Sequence, residues 1–144
     1  MRRQIVSLIA IALLAALAAV AAAQSGHQHD HGHKHKLGRQ VIGGYTVSVI
    51  LLGEIEPGGH VDFDIKLIDV KTDPKTLRVW IGPADAAGAG ATTKTEGKKG
   101  RTTYTGEIPV PKPLPDGAKL WVEIETNRGT SSGSFDLEEH GHQR

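Results

Sequence analysis

Eight histidines are the residues of this chain best suited to chemistry, and seven of them fall in its two terminal segments. His27, His29, His31, His33 and His35 occupy every second position. In an extended backbone such side chains project to one side about 6.6 Å apart. A flexible chain can fold two or three of these imidazoles around one ion. Neutral imidazole suits zinc, copper and nickel, and short His-rich tracts are a compositional signal for such ions. Asp30 offers an oxygen ligand, and His140-Gly141-His142 repeats the His31-Gly32-His33 spacing at the other terminus. Binding at a flexible segment must order it, so modest, pH-sensitive affinity is expected. That suits buffering or handing on a metal better than catalysis. The competing interpretation is a solvated tail that gains charge below pH ~6.5.

His60 is the lone histidine inside the predicted fold, where by itself it reads as a turn residue. If the strands alternate in direction, His60, Glu54 and Glu56 share one end of the domain with His140 and His142. The long N-terminal segment then leaves from the opposite end. The expectation is a mixed histidine and carboxylate site, so all eight histidines are candidate ligands.

Other chemistries find no constellation. The chain has no cysteine, which removes thiolate ligands, a cysteine nucleophile and iron–sulfur clusters. Ser48, Ser131, Ser132 and Ser134 lie in no nucleophile-elbow motif. Asp62 and Asp64, like Glu123 and Glu125, share outward strand faces and read as solvation. No phosphate loop or dinucleotide fingerprint is present. A formal net charge of +1 gives no reason to expect a nucleic-acid partner. The domain reads as non-enzymatic.

The elements that must position these histidines are short and extended. Arg2 and Arg3 precede a nearly unbroken apolar run from Ile5 to Ala23, which ends on three small alanines. That is the form of a secretory signal peptide over residues 1–23, and it implies a periplasmic or secreted protein. If the segment stays uncleaved, it anchors the protein to the membrane. Cleavage one residue beyond Ala23 would expose Ser25-Gly26-His27, a square-planar donor set for Cu(II) or Ni(II). Residues 24–44 are almost free of apolar side chains before Leu37, so they read as a disordered His-rich tail.

From Tyr45 the pattern turns to period two. Val61, Phe63, Ile65 and Leu67 alternate with polar residues in the clearest strand. Leu77, Val79 and Ile81 form another, as do Leu120, Val122 and Ile124. Residues 84–90 read as the loop that crosses between sheets. Residues 91–96 and 101–108 read as a hairpin, and Pro109, Pro111, Pro113 and Pro115 as an extended connector. About seven short strands in residues 45–138, with no helical period, predict an immunoglobulin-like antiparallel β-sandwich. A partly open barrel is the alternative, and residues 139–144 form a short His-containing tail.

The signal segment, the His27 to His35 tract and two stretches of the domain, Leu77-Arg78-Val79-Trp80-Ile81 and Pro113-Leu114-Pro115-Asp116-Gly117-Ala118-Lys119-Leu120-Trp121-Val122, carry a resemblance. The chain resembles bacterial periplasmic YtkA-like domains and, more distantly, copper carriers of the CopC type. The resemblance implies an immunoglobulin-like fold outside the cytoplasm and a part in handling copper or another metal. Methionine-based Cu(I) chemistry is missing, since Met1 is the sole methionine. Two functions follow: a metal-binding or metal-carrying protein using its histidine tails, or a module that contacts an envelope protein partner. Trp80 and Trp121, both on predicted outward faces, discriminate between them. An exposed adjacent pair would mark a partner surface, whereas a covered pair belongs to the core.

Overall fold

A computed structural model of the chain describes residues 33–87 and 93–137. The expected signal peptide, His27, His29, His31, His140 and His142 lie outside the described residues. Every regular element described is a strand: β1 (Lys34–Ile42), β2 (Tyr45–Leu52), β3 (His60–Ile68), β4 (Thr76–Gly82), β5 (Thr95–Glu96), β6 (Lys98–Lys99), β7 (Thr103–Pro109), β8 (Lys119–Thr126) and β9 (Gly129–Asp136). They form two antiparallel sheets, ordered β1-β2-β3-β7-β6 and β5-β4-β8-β9.

The alternation read from the sequence decides which side chains go inside. In β3, Val61, Phe63, Ile65 and Leu67 are buried, while the residues between them face outward. Val47, Val49 and Leu51 do the same in β2, Leu77, Val79 and Ile81 in β4, and Leu120, Val122 and Ile124 in β8. These side chains come from both sheets and form one core, so the domain is a β-sandwich. The proline-bearing stretch after β7 carries the chain to β8 in the other sheet. Reciprocal backbone bonds pin its start: Gly58 N donates to Val110 O at 2.9 Å and Val110 N to Gly59 O at 2.8 Å.

Three expectations are corrected. First, residues 34–42 are not tail but an edge strand, paired with β2 from Lys34↔Leu52 to Ile42↔Tyr45. A register shift between Lys36 and Gly38 changes the phase of the alternation. Before it His35 and Leu37 point inward; after it Gln40 and Ile42 do. Gly38, at φ 110°, takes the backbone through a conformation that side chains disfavour. Two of the four inward residues are polar, and neither phase runs long enough to register as a strand. Second, among the described residues, 93–96 and 101–108 make no hairpin. β5 joins β4, while β6 joins β7 in the other sheet. Third, β4 and β5, on either side of the expected crossing loop at 84–90, share one sheet, and the chain passes to the other sheet at Gly97. Gly97 N donates to Leu77 O at 2.8 Å. A Cβ there would lie 3.2 Å from both Leu77 Cδ2 and Tyr104 Cβ, so the two sheets close on this residue from both sides.

Candidate metal centre

One end of the sandwich gathers His33, Glu54, Glu56, Gly59 and His60 around an open cleft of about 400 Å³. The local sequence explains the gathering. Gly53 N donates to His33 O at 2.9 Å, which carries the β1–β2 pairing one step past the strands. Ile55 packs against the core, so its neighbours Glu54 and Glu56 face solvent. Gly59 N then closes a turn on Glu56 O at 2.9 Å, and His60 opens β3. His33 Nε2 stands 3.7 Å from Glu54 Oε1, with both side chains more than half exposed. Two ligands of one tetrahedral zinc lie roughly 3.3 Å apart, given metal–ligand bonds of about 2 Å. The pair therefore needs to close by only a few tenths of an ångström to share an ion. Among the described residues no three His, Asp or Glu side chains converge to hold a metal unaided.

His35 has a different place. One step of about 6.6 Å along the same strand face takes the side chain from over the end of the sheet into its interior. His35 is 3% exposed, and its Nε2 lies 2.9 Å from Gly53 O. A carbonyl only accepts, so this nitrogen must carry the proton and donate. It has no lone pair for a metal while that bond stands. Of the described histidines, His33 and His60 share the cleft and His35 does not.

Both termini of the described domain sit at this same end. β1 starts here, and β9 runs back toward its start. Gln40 Nε2 donates to Ser134 O, and a Cβ on Gly43 would meet Ser131. The two edge strands are thus antiparallel to one another across the side of the sandwich. The expectation that the long N-terminal segment leaves from the end opposite His60 is corrected. The added strand β1 reverses the direction of entry, so the segments bearing His27 to His31 and His140 to His142 join the domain at one end.

Glu123 and Glu125 are engaged elsewhere. On the outer face of the four-stranded sheet, Lys94 Nζ lies 2.6 Å from Glu123 Oε2, and Arg78 Nη1 lies 3.2 Å from both Glu123 and Glu125. Burial alone would raise the Glu123 carboxyl. The hydrogen bonds from Lys94 and Arg78, with their charges, outweigh it and hold the group below the usual carboxylate range. Trp80 and Trp121 face one another across β4 and β8 and stack at 6.1 Å with 12° between planes. Their indole nitrogens donate to Pro83 O and Gly82 O, and the Lys94 ammonium sits 4.6 Å over the Trp80 ring. Trp80 is 1% exposed. The tryptophans are adjacent but form no open patch.

No protein-family model, no curated protein and no solved structure matches this chain.

Its candidate site therefore rests on its own residues. The special position of His33, at the mouth of a carboxylate-lined cleft, had no signal in the sequence beyond its membership of the alternating tract. It depends on the pairing of β1 with β2, which the phase shift hides.

Proposed function

We propose that this is an exported, non-enzymatic protein that binds and carries a divalent transition metal, zinc, copper or nickel. The ion is held at the His33, Glu54 and His60 end of an immunoglobulin-like sandwich. The observation that carries this reading is the convergence of that cleft with the attachment points of both histidine-bearing segments. His33 and Glu54 anchor an ion, His60 and Glu56 stand beside them, and His27, His29 and His31 precede His33 within six residues of chain. Imidazole and carboxylate together suit zinc or copper at neutral pH.

The connectivity supports the immunoglobulin-like assignment. β2, β3 and β7 stand as strands A, B and E of that fold, and β4, β8 and β9 as C, F and G. On this reading β1 is an added edge strand. The case for export rests on residues 1–23 as a sequence. The alternative, a module for an envelope protein partner, drew on an exposed tryptophan pair, and the burial of Trp80 withdraws that support.

Calorimetric titration with Zn(II), Cu(II) and Ni(II) at pH ~7.5 and ~5.5 tests the proposal, since protonation of imidazole competes with metal. The chain from residue 24 is compared with one lacking residues 24–32 and with the triple variant His33→Ala, Glu54→Ala, His60→Ala. A deeper truncation would cut into β1. Binding that weakens in acid, and falls in both variants, is expected. Binding unchanged in both would overturn the assignment.

A further inference from the structure

We propose that the end of the sandwich remote from His33 docks on an anionic lipid bilayer. The overall charge of +1 conceals a separation along the strand axis. Among the described residues, the loops and corner at the remote end, residues 69–75, 98–101 and 127–128, carry Lys71, Lys75, Lys98, Lys99, Arg101 and Arg128. Asp69 and Asp73 are the carboxylates there, and Asp73 is already paired with Lys99. The loops at the His33 end carry Glu54, Glu56, Asp85 and Asp116 against Lys112. One pole is thus net basic and the other net acidic. A charged plane orients such a molecule with the basic pole toward it and the metal cleft away.

Three features favour a bilayer over other polyanions. All six cations are exposed and spread over separate loops. Four are lysines, point charges on flexible stems, which suit diffuse headgroup attraction better than forked recognition of a single phosphate or carboxylate. Val70, at 37% exposure, is one of two exposed large apolar side chains among the described residues, and it sits between Asp69 and Lys71 in this pole. An exposed apolar residue in a net basic pole can enter the headgroup boundary. Finally, among the described residues the pole offers no fully exposed ring for stacking on bases. Tyr45, which lines the cleft there, is half-buried and donates its hydroxyl to Thr72 O at 2.9 Å.

The test is flotation of the chain from residue 24 with vesicles of phosphatidylcholine alone or mixed with phosphatidylglycerol. Residues 1–23 are left out because their apolar run would hold every variant on any vesicle. The double variant Lys71→Glu, Lys75→Glu is set against Lys34→Glu, Lys112→Glu, which makes the same change in net charge at the other pole. Each basic residue near such a surface strengthens binding roughly fivefold, so the remote-end variant should bind mixed vesicles about 25-fold more weakly or worse. The opposite-pole variant should bind nearly as the parent does. Equal losses in the two variants, or no preference for the anionic vesicles, would overturn the proposal. So would charge-dependent binding to polyglutamate with none to vesicles, which would assign the pole to an acidic protein.

Discussion

His33 and His35 differ by one step along the same face of a strand, yet that step separates a solvent-facing donor from a core residue. The His35 ring fills space at the end of the sandwich and satisfies the Gly53 carbonyl. Replacing it with alanine removes both the packing and the hydrogen bond. A loss of about 2 kcal/mol is expected, read as a lower urea midpoint with an unchanged slope. An unaltered midpoint would return His35 to the pool of candidate ligands. Glu123 is the residue through which acid should act on the fold. Its carboxyl is held below its ordinary value of 4.5 by Lys94 and Arg78. A depressed carboxyl contributes stability above the unfolded-state pKa and loses it as pH falls through the folded-state value. Stability should therefore drop as pH falls below about 4.5, and Glu123→Gln should flatten that part of the curve. Urea melts of both proteins from about pH 7 to pH 3 decide it.

At the scale of elements, β3 and β1 show what local pattern can and cannot reveal. β3 lies inside its sheet and keeps one phase throughout, so four apolar residues mark it plainly. β1 sits at an edge, changes phase at Gly38 and points His35 and Gln40 inward. Those polar groups are tolerable only because Gly53 and Ser134 supply carbonyls from elsewhere in the fold. The pairs formed by β5 and β6 were equally hidden, because two residues per strand carry no period. One prediction follows from β1. Deleting residues 24–32, which leaves β1 whole, should leave stability within about 0.5 kcal/mol. Deleting through residue 42 should cost several kcal/mol, since it uncovers the core beside Ile42 and orphans two carbonyls. Similar denaturation midpoints for the two truncations would show that β1 contributes little.

At the scale of the molecule, the sandwich has a histidine and carboxylate pole and a basic pole. The shared exit of the two termini makes a prediction about their joint action. Variants lacking residues 24–32, residues 138–144, or both, should show non-additive losses of metal affinity, with a coupling of about 0.5 kcal/mol or more. Strict additivity in calorimetric titration would mean that the two segments bind separately. The sequence by itself determined that the domain is all-β, where its best strands lie, and which faces of those strands supply core side chains. Those properties follow from period-two alternation and turn residues, which act within a few positions of chain. Only the tertiary structure decided that His35 is a core residue, that Trp80 is covered, that the chain changes sheets at Gly97, and that both termini share the His60 end. Each of these depends on which strands become neighbours. Pairing partners are set by contacts between distant segments, and one added edge strand is enough to reverse the end at which a terminus emerges.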